Sequence, residues 1–176
     1  MVPINIIGHA GCGKTTLIVD LIKELIKRDM KVGSLKHSAH IHELDKPGKD
    51  SFQHRQAGAV PASMITQSMA AIYLPRSNNL TPEKLLEKYY SNVDIVLIEG
   101  WISGPFEKVE IWNKQVNRKP LFSFVENVTA FVSDDDLDPE SMKVAKAKQL
   151  NSFKRCESSL LTDFILDLTK KNFKAD

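Results

Sequence analysis

The sequence predicts an α/β fold in which a mostly parallel sheet lies between two layers of helices. Three observations favour it. Towards both ends of the chain, short apolar runs alternate with stretches whose apolar residues have helical spacing. The run 95–98 is apolar without alternation, as expected of a central strand that is covered on both faces. Between these parts, two short apolar runs at 60–66 and 70–74 are separated by a polar turn, which indicates an inserted β-hairpin.

Each element has its own signal in the sequence. The opening run Val2–Ile7 is rich in β-branched residues and ends at a glycine, which is typical of a buried strand. A later helix has Thr81 as its N-cap residue and Pro82 in its first turn. In chain order we assign a strand at 2–7, a helix at 13–28, a strand at 31–36, a loop at 38–51, a short helix at 50–56, the hairpin at 60–66 and 70–74, a helix at 81–90, strands at 95–98, 108–112 and 128–132, and a closing helix at 160–171.

Length and composition exclude several classes of protein. The 176 residues suit a single domain spanning 1–176, and 42% hydrophobic with 26% charged residues is an ordinary globular balance. A net charge of +2 is too small for a nucleic-acid footprint, and no run approaches the ~20 apolar residues of a membrane span. Because there are only two cysteines and no signal-peptide pattern, we expect a cytoplasmic protein without nucleic-acid or membrane partners.

The strongest motif lies directly after the first strand. The run Gly8-His9-Ala10-Gly11-Cys12-Gly13-Lys14-Thr15 satisfies the Walker A pattern G-x-x-x-x-G-K-[ST]. Its glycines allow successive backbone N–H groups to surround phosphate oxygens, and the next helix points its positive N-terminus at the same anion. We therefore expect Lys14 to reach the β- and γ-phosphates, Thr15 to bind Mg²⁺ and Thr16 to approach the α-phosphate. Cys12 is interpreted as a small filler residue of the loop rather than as a reactive thiol.

A nucleotide site of this type also needs a carboxylate near Mg²⁺, at the end of an apolar strand. Glu99 fits, because the run 95–98 delivers it to the carboxyl end of a predicted strand. Lys14 and Glu99 are therefore the candidates for a catalytic role. In the polar loop, Asp45 is a second candidate metal ligand and Asp50 an alternative, with a solvated loop charge or helix cap as the competing interpretation.

Basic side chains gather at the end of the second predicted strand. Lys36 and His37 fall beside the phosphate loop, and His40 and His42 follow in the polar loop. Lys36, His37 and His40 are the candidates for contacts with phosphate groups of a ligand. A zinc site is disfavoured because no cysteine is near, whereas solvated loop histidines stay open as an alternative.

Several segments together match a known family. They are the loop 8–16, the segment Lys36-His37-x-x-His40, Asp45, the stretch Pro47-Gly48-Lys49-Asp50-Ser51 leading to His54-Arg55-x-Ala57-Gly58-Ala59, the strand that ends in Glu99-Gly100, Val109-Glu110-Ile111, and Val132-Ser133-Asp134. In these segments the chain resembles the MobB family, the GTP-binding adapters of molybdenum-cofactor biosynthesis. The resemblance covers residues 1 to about 136, and the remainder matches only as a generic closing region.

The resemblance implies a P-loop NTPase-like three-layer sandwich that binds GTP with Mg²⁺ and has weak GTPase activity at most. It also implies a homodimer that assists MobA, the guanylyltransferase that joins GMP to molybdopterin. By position, the resemblance assigns phosphate contacts to residues 11–16. It assigns the Mg²⁺ environment to Thr15 and Glu99, with Asp45 as a further candidate. It assigns the surface that faces the phosphates or the pterin to Lys36, His37 and His40.

The sequence departs from guanine-specific G proteins in one respect. The base-reading motif N-K-x-D is absent, because Asn113-Lys114 is followed by Gln115-Val116. Preference for GTP over ATP is therefore implied by the resemblance alone. Asp134, which follows the strand 128–132, is our hypothesis for a base-reading carboxylate. We also find no candidate for an arginine finger, which agrees with slow hydrolysis.

Two other functions compete with the adapter. A small-molecule kinase would also need the phosphate loop and a metal-binding carboxylate, but the five arginines of the chain form no cluster for a phosphate lid. A nucleic-acid-associated ATPase is disfavoured because the basic stretch 143–174 is typical of a solvated helix face. Trp101 is open to two interpretations, an exposed partner contact or a core-filling aromatic residue, and the hairpin offers an edge for dimerisation.

Overall fold

The computed structural model describes residues 1–76 and 80–172. They form two compact units, one containing Met1–Ser38 with the chain from Lys88 onward, and the other containing Ala39–Glu87. In chain order the elements are β1 (Val2–Ile7), α1 (Lys14–Ile26), β2 (Val32–Lys36), α2 (Asp50–Gln56), β3 (Ala62–Ile65), β4 (Ala70–Tyr73), α3 (Pro82–Tyr89), β5 (Ile95–Glu99), β6 (Lys108–Ile111), β7 (Val128–Val132), α4 (Pro139–Ala147), β8 (Asn151–Phe153) and α5 (Ser158–Asn172). Two 3-10 helices, Lys114–Val116 and Leu121–Ser123, lie between β6 and β7.

A six-stranded parallel sheet forms the centre of the first unit. Its strand order is β2-β5-β1-β6-β7-β8, so β1 lies between β5 and β6. Ile6 of β1 is opposite Glu99 on one side and Val109 on the other. Because all these strands run in the same direction, their carboxyl ends share one edge of the sheet, where ligands bind in folds of this class.

Helices cover both faces of this sheet. Alternate residues of β1 face opposite sides, so that Ile6 joins one core cluster and Ile7 the other. The first cluster contains Leu21 and Leu25 of α1, and burying each such side chain contributes about 1.5–3 kcal/mol. The second cluster contains Phe122 of a 3-10 helix, together with residues of β7 and α4. The predicted three-layer arrangement with a mostly parallel sheet is thus confirmed.

The second unit contains the predicted hairpin. Strands β3 and β4 pair antiparallel, with Ile65 opposite Ala70 and Ser63 opposite Ile72. The helix α2 precedes them, and α3 begins in this unit after the N-cap residue Thr81, whose hydroxyl accepts from the N–H of Lys84 at 3.4 Å. That the chain forms a single domain stays a prediction.

The last third of the chain contains two elements that the sequence did not reveal. Asn151–Phe153 is only three residues long and has no alternation of its own, and it becomes the edge strand β8 by pairing with β7. The helix α4 begins after Asp138, whose carboxylate accepts from the N–H groups of Glu140 and Ser141. Over residues 1–76 and 80–172, we find no helix with the length and apolar character needed to cross a membrane.

Candidate functional site

The phosphate loop connects β1 to α1 in the first unit. Gly8 has a φ of 147°, and a Cβ there would lie 2.3 Å from the carbonyl oxygen of Ile111, so only glycine fits. Gly13 is the N-cap residue of α1 with a φ of 96°, and no side chain in the described part of the chain caps this helix. The N-terminal N–H groups of α1 are therefore left for an anion, as the sequence motif predicts.

Lys14 spans this loop with its side chain. Its ammonium donates to the carbonyl oxygens of Gly8 at 3.0 Å and of His9 at 2.8 Å. An ammonium has three donors, so these two bonds fix its position and leave one donor for a ligand. Lys14 is only partly exposed, whereas its neighbours Thr15 and Thr16 lie at the more open start of α1.

The structure brings Glu99 to the phosphate loop. The Thr15 hydroxyl donates to Oε2 of Glu99 at 3.1 Å, although the two residues lie 84 positions apart. The other carboxylate oxygen of Glu99 pairs with the Lys36 ammonium at 3.2 Å. Glu99 is 14% exposed and Lys36 is 67% exposed, so the carboxylate is held in place while the lysine reaches it from solvent. These groups meet because β2 and β5 are neighbours in the parallel sheet.

His37 continues this arrangement at the end of β2. Its backbone N–H donates to the carbonyl oxygen of Glu99 at 2.9 Å. Its ring lies 6.0 Å from the ring of Trp101. Trp101 is 7% exposed and packs on Phe106, so the interpretation as an exposed partner contact is wrong and the core-filling interpretation is confirmed. The structure thus groups Lys36 and His37 with the carboxylate at the loop.

The remaining candidates of the polar loop lie in the second unit, where Asp50 is the first residue of α2. The ring of His40 is 6.3 Å from that of His42. Asp45 is buried, and one of its oxygens accepts from the Ser51 hydroxyl at 3.0 Å and from the Lys46 N–H at 2.8 Å. The structure therefore places Asp45 in a local network of its own unit.

An ion pair extends this network. The Arg55 guanidinium lies 2.8 Å from Glu43 and 3.5 Å from the second oxygen of Asp45. Burial acts to raise the pKa of Asp45, but hydrogen bonds from the Lys46 N–H and from three neighbouring side chains bring it below its usual value. The carboxylate is consequently charged at neutral pH and paired to a cation.

The oxygen donors at the loop fit Mg²⁺. The Thr15 hydroxyl and the Glu99 carboxylate are hard ligands, which this ion prefers. Within residues 1–76 and 80–172, no group of three or more His, Cys, Asp or Glu side chains forms a metal cage. Mg²⁺ binds through one or two protein groups together with phosphates and water, and Thr15 and Glu99 are two groups of the required type.

Cys12 belongs to the loop, and its side chain is buried in the first core cluster. Burial raises the pKa of its thiol, although the nearby Lys14 ammonium acts in the opposite direction. The thiol therefore stays protonated at neutral pH, in agreement with the filler interpretation.

Arg155 also reaches the loop, and sequence reasoning missed it. Its guanidinium donates to the carbonyl oxygen of Cys12 at 2.9 Å. Its backbone N–H donates to the carboxylate of Asp134 at 3.0 Å, which places the hypothetical base-reading residue next to it. In the sequence, Arg155 is a basic residue shortly after Phe153. Because the strand that ends at Phe153 was not predicted, nothing indicated that Arg155 reaches the loop.

The family model for molybdopterin guanine dinucleotide synthesis protein B, MobB, matches residues 3–134 of this chain. A molybdopterin-guanine dinucleotide biosynthesis adapter protein of Haemophilus influenzae is 33% identical over 136 residues, which are 77% of this chain and 76% of that protein. The adapter protein of Escherichia coli is 32% identical over 133 residues, covering 73% and 76%.

Solved structures agree with the fold. The MobB of Bacillus subtilis aligns with a TM-score of 0.70 at 22% identity, covering 95% of this chain and 97% of that one. A MobB homologue from Bacillus stearothermophilus aligns with a TM-score of 0.68 at 18% identity, covering 97% and 99%. At these identities the likeness concerns the fold alone.

Proposed function

Because this chain belongs to the family of molybdopterin guanine dinucleotide synthesis protein B, we propose that it is a nucleotide-binding adapter in the biosynthesis of molybdopterin guanine dinucleotide. Its ligand is GTP with Mg²⁺, bound by residues 8–16. The observation that carries the proposal is the contact between Thr15 and Glu99, beside the loop that Lys14 spans. A hydroxyl, a carboxylate and an ammonium at one loop are what a metal-bound triphosphate requires.

Each group has a defined task in this proposal. The N–H groups at the start of α1 and the free donor of Lys14 hold the phosphate oxygens. Thr15 and Glu99 would hold Mg²⁺, which would neutralise phosphate charge. Lys36 would be able to exchange its pairing with Glu99 for phosphate oxygens, because its side chain is exposed. Hydrolysis of GTP by this chain is slow in our proposal, as the resemblance to the MobB family implies.

The adapter works with a partner and with a second copy of itself. The partner is MobA, the guanylyltransferase, which supplies the chemistry that this chain does not. The hairpin favours a homodimer, because Ile65 and Ile72 are 81% and 56% exposed on β3 and β4. Exposed apolar side chains on a short two-stranded sheet are typical of an association surface.

Calorimetric titration tests the nucleotide part. We expect the wild type to bind GTP in the presence of Mg²⁺ more tightly than ATP, and Lys14→Ala to lose most of this affinity. Lys23→Ala is the matched control, because Lys23 is an exposed lysine of the same helix. Equal affinity for GTP and ATP would overturn the guanine preference, and normal binding by Lys14→Ala would overturn the role of the loop.

Co-purification tests the adapter part. We expect MobA to be retained by the tagged protein, and more strongly with GTP and Mg²⁺ than without. If MobA is retained neither with nor without GTP, the adapter function is contradicted. Transfer of phosphate from GTP to a metabolite, faster than GTP hydrolysis, would instead support the small-molecule kinase.

A further inference from the structure

Arg155 approaches the phosphate loop from the turn between β8 and α5. Its Nη2 lies 2.9 Å from the carbonyl oxygen of Cys12, and a Cβ on Gly13 would be 1.8 Å from the same nitrogen. The guanidinium therefore occupies the space that a side chain at position 13 would need. Arg155 lies beyond residues 3–134, where the family model matches.

The turn that carries Arg155 is held at both ends. The backbone N–H of Arg155 donates to Asp134 at 3.0 Å, and the Lys154 ammonium donates to the Asp134 carbonyl oxygen at 3.3 Å. The backbone N–H of Lys154 donates to the Glu157 carboxylate at 2.7 Å. Asp134 follows the carboxyl end of β7, so this network fixes the turn to the edge of the sheet. The backbone of the turn therefore loses little conformational entropy when Arg155 meets a ligand.

The guanidinium of Arg155 has N–H donors available for a ligand. Of its five N–H groups, only the one on Cys12 has a partner within the described part of the chain. The residue is exposed, and its planar group can stack on an aromatic ring while it donates hydrogen bonds in its plane. These properties allow the guanidinium to bind a purine nucleoside.

The sheet order indicates which part of a nucleotide reaches Arg155. Glu99 and Lys36 end strands β5 and β2, on one side of β1. Asp134 and Arg155 follow strands β7 and β8, on the other side of β1.

If Mg²⁺ and the terminal phosphates lie beside Glu99, the chain of phosphates crosses the loop and the nucleoside leaves it towards β7 and β8. We propose that Arg155 binds the nucleoside end of the ligand, with its guanidinium against the purine base.

This inference rests on the proposed nucleotide binding, and one experiment separates the two. Binding of GTP with Mg²⁺ and of inorganic triphosphate with Mg²⁺ is measured by displacement of a fluorescent GTP analogue. The proteins are the wild type, Arg155→Ala, Arg155→Lys and the control Arg118→Ala, which removes another exposed arginine. Thermal unfolding verifies that each variant is folded.

We expect Arg155→Ala to weaken GTP binding about five- to thirtyfold and to leave triphosphate binding unchanged, because the lost contact is with the nucleoside. Arg155→Lys restores part of the affinity, and Arg118→Ala has no effect. An equal loss for GTP and triphosphate would show that Arg155 only holds the loop, and unchanged GTP binding by Arg155→Ala would also overturn the inference. A folded wild type that binds neither ligand would overturn the proposed function itself.

Discussion

Glu110 is a buried acid in β6, and the pH dependence of stability should reveal it. Its carboxylate is fully buried and accepts from the N–H of Leu121 at 2.6 Å and from the N–H of Phe122 at 2.8 Å. Burial raises the pKa of Glu110 to about 7, although these two donors act in the opposite direction. The perturbation is therefore a change of pH, and the free energy of unfolding is compared between the wild type and Glu110→Gln at each pH.

The sign and size of the effect follow from proton linkage. The folded state holds this proton up to about pH 7, whereas the unfolded state loses it near its ordinary pKa of 4.5. The contribution of Glu110 to stability is thus fully present below about pH 4.5 and is lost as the pH rises through 7. A tenfold difference in proton affinity between the folded and unfolded states corresponds to about 1.4 kcal/mol. The free energy of unfolding should therefore fall by about 2–3 kcal/mol between about pH 5 and about pH 8.5 on account of this group.

Urea unfolding at a series of pH values measures this change. Glu110→Gln cannot ionise, so the gap in unfolding free energy between wild type and variant should change by about 2–3 kcal/mol across the series. Glu87→Gln, at an exposed position, is the control and should follow the wild type. A gap for Glu110→Gln that stays constant with pH would refute the reasoning, because the carboxyl would then titrate alike in both states.

Three further predictions concern single side chains. Asp138→Ala removes the cap of α4 and should lower the free energy of unfolding by about 1–2 kcal/mol in urea titrations, whereas Asp138→Asn should retain most of it. Asn5→Val should raise the free energy of unfolding by about 1–3 kcal/mol, because both polar atoms of this buried amide have no hydrogen bond in the described residues; a loss of stability would contradict this. Lys36→Met removes the cation that pairs with Glu99 and, in the proposed function, with phosphate oxygens, so it should weaken GTP binding about two- to fivefold, as the loss of an exposed ion pair permits; unchanged binding would separate Lys36 from the nucleotide.

The elements with strong local signals were predicted close to their observed bounds. The helix expected at 13–28 is Lys14–Ile26, and the strand expected at 128–132 is Val128–Val132. The strand Asn151–Phe153 was not predicted, because an edge strand of three residues is decided by its pairing with β7 and not by its own composition. Recognition of Arg155 failed for the same reason, because its position depends on that strand.

The sequence by itself determined the phosphate loop of this protein. Eight consecutive residues contain the glycines, the lysine and the hydroxyl that the loop needs, and the apolar runs on both sides predict the strand and helix that support it. The sequence also predicted Glu99 near the loop, but the tertiary structure alone decided that its carboxylate meets Thr15 and that Arg155 joins the loop. Glu99 and Arg155 meet it across 84 and 143 positions, because a parallel sheet gathers the carboxyl ends of its strands at one edge in an order that no local pattern encodes.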